Sequence, residues 1–82
     1  MILRQLGSNQ TELSLNNGDS IFFSYETPVA GFQSEDGFFK TETYYSKTTS
    51  RHINQYFRDV DASDIAIVSD QYIVDRVNHD VK

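Results

Sequence analysis

The sequence predicts an α+β fold: a small antiparallel sheet of three or four strands packed against one main helix, followed by a second short C-terminal helix. Two observations support this. In the first half of the chain, apolar and polar residues alternate over short stretches separated by turn-forming residues, as is typical of antiparallel strands. Later, Ile53, Tyr56, Phe57 and Val60 recur at the spacing of one helix face.

Length and composition exclude several classes of protein. The chain has 82 residues, which predicts a single domain covering residues 1–82. Its hydrophobic fraction of 38% suffices for one small core, so a disordered acidic chain is excluded. It has no cysteine, which excludes disulfides and thiolate metal sites. No stretch approaches the roughly 20 apolar residues of a membrane span. Nothing indicates a cofactor, and we expect a soluble cytoplasmic protein that binds no membrane.

The strands of the sheet are predicted from alternation and turn signals. The predicted strands are residues 2–6, residues 11–15, residues 20–25, which resume at residues 29–32 after Pro28, and residues 38–45. Asn17-Gly18 and Asp36-Gly37 predict tight hairpins, because these residue types tolerate the positive φ that such turns require. Pro28 has no amide hydrogen, so it predicts a sheet edge or a bulge.

Two helices are predicted after the sheet. They are residues 48–59 and residues 69–78. Thr48 or Thr49 can cap the first helix and Ser69 the second, because their hydroxyls accept from amides of the first turn. The sequence does not decide whether residues 64–68 between them are a strand, a helix or an apolar connector.

The predicted core combines one face of the strands with the apolar stripes of the helices. Its expected members are Ile21, Phe23, Tyr25, Phe39, Tyr45, Ile53, Tyr56, Phe57 and Ile73.

A basic face on the first helix is a candidate binding surface. Lys47, Arg51 and Arg58 project away from the apolar stripe, and Asn54 lies near them. These cations suit phosphates, and Asn54 suits base edges. An ordinary solvated helix face is the simpler explanation of the same residues.

His52 flanks the apolar stripe of the same helix. It could serve as a general base or a contact residue, but no nucleophile or acid stands beside it in the sequence. The simpler interpretation is a half-buried histidine bonded to the sheet. The sequence therefore indicates no catalytic residues, and we expect no enzyme.

The whole chain has a net charge of −5, and its acidic residues concentrate in the last quarter. A candidate acidic binding surface consists of Asp59, Asp61, Asp64 and Asp70, which could occupy a basic groove on a partner. The spacing superficially resembles a calcium loop, but the required glycine and final glutamate are replaced by Asp64 and Asp70, so no metal site is predicted.

Three segments resemble a known group of proteins. They read SYETPVA at residues 24–30, KTE at residues 40–42 and SKTTSRHIN at residues 46–54. Over residues 2–57 the chain resembles a family of small uncharacterised proteins of tailed bacteriophages and other bacterial mobile elements. That family has an S-Y-x-T-P-V-A pattern followed by T-T-S-x-H-I-N. The resemblance implies an origin and no particular activity.

We therefore expect a non-enzymatic phage accessory protein that binds a macromolecular partner in the host cytoplasm, such as a host enzyme or defence complex. A host or phage protein is the expected partner, because the chain is acidic and carries no catalytic set. The alternative is a nucleic-acid-binding regulator that uses the basic face of the first helix. The sequence leaves the oligomeric state open.

Overall fold

Six strands lie side by side in the order in which they occur in the chain, and two helices flank the sheet. The computed structural model describes residues 2–15 and 18–80, with side chains up to residue 77. The strands are β1 (Ile2–Gly7), β2 (Gln10–Ser14), β3 (Ser20–Ser24), β4 (Thr27–Gln33), β5 (Gly37–Thr41) and β6 (Ile65–Val68). The helices are α1 (Lys47–Tyr56) and α2 (Asp70–Asp80), and a single 3₁₀ turn, Ala62–Asp64, precedes β6.

The sheet is mixed. Strands β1 to β5 form an antiparallel meander, in which each strand pairs with the next. Strand β6 instead runs parallel to β5, with Phe38 opposite Ile65 and Thr41 opposite Val68. Parallel neighbours need a crossover connection, and α1 provides it. In the described sheet, β1 and β6 are therefore the two edge strands.

The two helices cover opposite faces of the sheet, and each face has its own core. The core on the α1 face consists of Phe22, Val29, Ala30, Ile53 and Phe57. The core on the α2 face consists of Leu13, Leu15, Ile21, Phe39 and Ile73. Neighbouring residues of a strand point to opposite faces, so Ile21 and Phe22 are each fully buried in a different core.

A bulge in β4 accommodates the proline. Phe22 pairs with Ala30 and Phe23 pairs with Pro28, so Val29 is the extra residue. The extra residue turns Val29 and Ala30 towards the same helix, α1, where both are fully buried. Of the two alternatives predicted at Pro28, a sheet edge or a bulge, the structure shows the bulge.

The prediction of a three- to four-stranded antiparallel sheet packed against one main helix is wrong. The sheet has six strands, one of them parallel, and two short helices cover its two faces. The bulge lets β4 run unbroken through Pro28 for seven residues. Strand β6 was not predicted as part of the sheet because it is joined to its parallel neighbour through a helix. Its sequence is therefore not preceded by the turn residues that indicate a hairpin.

The predicted core needs correction for the same reason. Ile21, Phe39, Ile53, Phe57 and Ile73 are buried as predicted. The prediction assumed one covered face, so it chose Phe23 and left out Phe22. In the structure Phe22 is fully buried, whereas Phe23 and Tyr56 are half-buried.

Tyr25 and Tyr45 lie outside the core, with exposed fractions of 51% and 42%. Both follow the ends of strands, Tyr25 in the turn after β3 and Tyr45 in the loop after β5. The alternation that predicted their burial therefore no longer applies to them.

Both helices begin close to the predicted positions. The cap of α1 is Ser46, whose hydroxyl accepts from the amide of Thr49 at 3.1 Å, and the helix ends at Tyr56. Ser69 caps α2 as predicted, since its hydroxyl accepts from the amide of Tyr72 at 3.2 Å. The predicted hairpin at Asn17 lies outside the described residues, and only Gly18, with φ of +93°, is described there.

Candidate functional site

The segments at residues 24–30 and 46–54, which carry the family resemblance, contact each other in the structure. Ser24 ends β3, and Thr49 and His52 lie one turn apart on the inner side of α1. The Ser24 hydroxyl donates to Thr49 Oγ1 at 3.1 Å and lies 2.8 Å from His52 Nδ1. One hydroxyl hydrogen cannot serve both partners, so with Thr49 as its acceptor the Ser24 oxygen accepts from Nδ1–H of His52.

This cluster of Ser24, Thr49 and His52 is buried. Burying these polar groups between helix and sheet without partners would cost free energy, and the hydrogen bonds remove that cost. The same bonds fix the position of α1 on β3. His52 is thus placed where the simpler interpretation put it, as a buried histidine bonded to the sheet. Its Nδ1 atom is engaged inside the protein.

The turn after β3 holds a tyrosine in a conformation that favours glycine. Tyr25 has a φ of +58°, and its amide donates to the carbonyl of Asn9 at 2.7 Å. Its ring lies 5.8 Å from the His52 ring, measured between centroids. The turn therefore holds an aromatic side chain in solvent at the edge of the buried cluster.

A polar cleft of about 530 Å³ opens where α1 ends above β1 and β2. Glu12 lies at its base and uses both carboxylate oxygens: Arg4 Nη2 donates at 2.7 Å and the Tyr56 hydroxyl donates at 2.7 Å. Burial, and then the hydrogen bond to Glu12, raise the pKa of Tyr56 above its ordinary value. The Tyr56 ring also stacks on Phe22, with 4.3 Å between centroids. This network ties the end of α1 to the sheet.

Asp70 joins α2 to the loop after β5. Its carboxylate accepts from the hydroxyls of Thr41, Thr43 at 2.9 Å and Tyr45 at 2.6 Å. The hydrogen bonds from Thr41 and then Tyr45 lower the pKa of Asp70 below its ordinary value of 3.8. The hydrogen bond between Tyr45 and Asp70, with a smaller effect of burial, raises the pKa of Tyr45 to about 12. Of the predicted acidic surface, Asp70 is therefore engaged inside the protein.

Asp70→Asn is expected to lower the free energy of unfolding at pH 7 by about 1 kcal/mol, because water reaches the carboxylate and weakens its bonds. The pKa of Asp70 is depressed in the folded state, so its stabilisation is present above pH 3.8 and is lost as the pH falls through the folded pKa. The difference between wild type and variant, measured by urea unfolding, should therefore shrink below pH 3.8.

Asp75→Asn is the matched control, since Asp75 accepts only from Gln71 on the same helix among the described contacts. It should change the free energy by less than about 0.5 kcal/mol. Equal effects of the two substitutions would contradict the role given to Asp70.

The predicted basic face lies on the outside of the molecule. Lys47, Arg51 and Asn54 are exposed along α1, and Arg58 is exposed in the turn that follows. Arg58 lies 3.7 Å from the carboxylate of Asp59, with both side chains more than four-fifths exposed. Four of the five predicted contact residues are therefore exposed on α1 or just after it, and the buried His52 is separated from them.

The remaining acidic residues cluster in the loop before β6. Asp59, Asp61 and Asp64 are all exposed there. Asp61 also caps the 3₁₀ turn, accepting from the amide of Ser63 at 3.1 Å. Asp61 and Asp64 therefore lie directly before an edge strand, whereas Asp59 lines the polar cleft beside β1 and β2.

Exposed aliphatic side chains are found on both edge strands. On β6, Ile67 is 66% exposed, and on β1, Ile2 and Leu3 are each 69% exposed. Among the described residues, the two edge strands therefore carry the most exposed aliphatic side chains.

The profile of a family of unknown function, DUF8033, matches residues 1–75. The chain belongs to DUF8033. This match covers all six strands and α1, and therefore the buried cluster, the polar cleft and both sheet edges. Neither a curated protein nor a solved structure matches the chain. The DUF8033 assignment identifies the family and leaves function to be inferred from the surfaces.

Sequence reasoning missed most of the side-chain networks of this DUF8033 chain. Glu12 and Tyr56 are 44 residues apart, and Thr41 and Asp70 are 29 residues apart, so no local spacing relates them. The exposure of Ile67 was also missed, because an uncharged apolar run such as residues 65–68 ordinarily indicates burial. No helix in the described residues has the length and apolar character needed to cross a membrane.

Proposed function

We propose that this chain is a non-enzymatic accessory protein of a phage or mobile element, and that it acts in the host cytoplasm by binding a host or phage protein. The supporting observation is the exposed apolar surface of the edge strands, above all Ile67 on β6. A free strand edge with exposed aliphatic side chains can pair with an added strand of another protein.

The arrangement of the polar residues agrees with a binding role. The His52 ring is buried with its Nδ1 bonded, and Glu12 in the polar cleft has both oxygens occupied. His52 is not among the described residues that line the cleft, and Glu12 is already held by Arg4 and Tyr56, whereas a general acid or base must lie within hydrogen-bond reach of the group it serves.

Nucleic acid is the second candidate partner, and one observation favours it. Lys47, Arg51 and Asn54 are exposed on α1, and Arg58 is exposed in the turn that follows. Three cations supply few phosphate contacts, and long-range repulsion from an acidic chain opposes them. A protein partner is therefore preferred.

Site-specific photo-crosslinking distinguishes these partners. A benzoyl-phenylalanine replaces Ile67 on β6, Leu3 on β1 or Asn54 on α1, and each protein is irradiated in bacterial host lysate. We expect a discrete adduct from residue 67 or residue 3 that protease removes, nuclease leaves intact and excess wild-type protein suppresses.

The position on α1 is the matched control. An adduct that forms only at residue 54 and is destroyed by nuclease would establish the nucleic-acid alternative. The absence of a suppressible protein adduct at both edge positions would reject the proposal.

A further inference from the structure

The backbone of β6 presents hydrogen-bonding groups to the free edge of the sheet. The amide of Glu42 donates to the carbonyl of Val68 at 2.8 Å, so the Val68 carbonyl points towards β5. Backbone groups alternate sides along a parallel strand, and the amide and carbonyl of Ile67 therefore point outwards. With its side chain exposed as well, Ile67 offers both backbone and apolar contacts to an incoming strand.

The two edges of the sheet differ in their protection. Strand β1 carries the charged Arg4 and has an irregular register between Gln5 and Gly7, and both features hinder strand addition. Strand β6 has the sequence Ile65-Ala66-Ile67-Val68, with no charge and no proline, and its pairing with β5 is regular. Natural edge strands rarely leave such a segment open. The contrast selects β6 as the edge suited to pairing.

The surroundings of β6 define the chemistry of its partner. Asp61 and Asp64 are exposed in the 3₁₀ turn that leads into the strand, so an incoming segment meets negative charge beside the apolar edge. We propose that β6 accepts an extended segment of another protein, with alternating β-branched side chains and Lys or Arg residues at its flanks. This inference rests on the proposed protein-binding function and specifies its site and partner chemistry.

A second copy of the chain fits this edge less well. Antiparallel pairing about Ala66 would place Ile65 opposite Ile67 of the other copy, which is favourable. It would also bring Asp64 of each copy near Asp70 of the other, since Asp64 would lie opposite Val68. Like charges across a strand pair are destabilising, whereas a basic flank would be attracted.

Fluorescence anisotropy with a defined peptide tests the inference. The probe is a fluorescein-labelled peptide of alternating valine and threonine with two lysines at each end, and its control has glutamates in place of the lysines. We expect binding of the lysine peptide, at least tenfold weaker binding of the glutamate peptide, and weakening of the former by added salt.

Ile67→Pro is the decisive variant, because proline removes the outward amide and leaves the bonds to β5 in place. It should weaken binding of the lysine peptide at least tenfold. Ile67→Thr keeps the amide and the β-branch, so it should weaken binding of the same peptide less than threefold. In wild-type protein, saturating peptide should slow deuterium exchange of the Ile67 amide at least tenfold, which tests the site even if the proline variant fails to fold.

Three outcomes would overturn the inference. They are equal binding of both peptides, unchanged exchange at Ile67 with peptide bound, and a wild-type dimer in sedimentation that Ile67→Pro dissociates, which would assign the edge to a second copy. Failure here together with a protein crosslink at residue 3 would leave the protein-binding function standing and move its site to β1.

Discussion

Phe22→Ala is expected to lower the free energy of unfolding by about 3–5 kcal/mol. Phe22 is fully buried between β3 and α1, where it packs in the core with Val29, Ala30 and Ile53 and stacks on Tyr56. Removing the ring leaves a cavity that α1 cannot fill without giving up the hydrogen bond between Tyr56 and Glu12. A chain of this length has a total stability of roughly 4–12 kcal/mol, so the variant would lose a large part of it.

Urea unfolding followed by circular dichroism measures this loss, and Phe23→Ala is the matched control. Phe23 has the same side chain in the next position, but it is half-buried and packs against the core on the opposite face. We expect roughly half the loss for the control. An equal or larger loss for Phe23→Ala would contradict the assignment of Phe22 to the centre of the α1 core.

These two phenylalanines also show what the sequence could and could not predict. Alternation correctly separates Phe22 and Phe23 onto opposite faces, and the helical spacing of Ile53 and Phe57 correctly identifies the buried side of α1. Alternation does not reveal how many faces are covered. That depends on where α2 packs, and Ile73, which α2 buries on the second face, looks the same in the sequence whichever face receives it.

In the candidate site, too, local sequence predicts some positions and not the contacts that depend on the whole fold. Residues with a local pattern, such as Lys47, Arg51 and Asn54, lie exposed in a row because helix geometry alone places them. The contacts of His52 and Asp70 depend on partners 28 and 29 residues away, and these distances close only when the complete sheet forms. Local sequence carries no information on such pairings, so the hydrogen-bond partners of these two side chains could not be derived from it.

Gly31→Ala is expected to lower the free energy of unfolding by about 3 kcal/mol or more, because it forces backbone strands apart. A methyl group at Gly31 would lie 2.3 Å from the carbonyl oxygen of Ser20 and 2.6 Å from Cζ of Phe39. The Phe39 ring could turn aside, but the Ser20 oxygen belongs to the paired strand β3 and cannot move without breaking the β3–β4 ladder.

Gly7→Ala is the matched control for this close approach. Its added methyl would meet only the flexible end of Gln10, at 3.0 Å from Nε2, so urea unfolding should show a change below about 1 kcal/mol. A double variant with Phe39→Leu separates the two contacts of Gly31. Because the smaller side chain relieves only the ring contact, most of the loss should remain relative to Phe39→Leu alone. Recovery of most of the stability would instead show that the ring, and not the close approach of β3 and β4, requires glycine at this position.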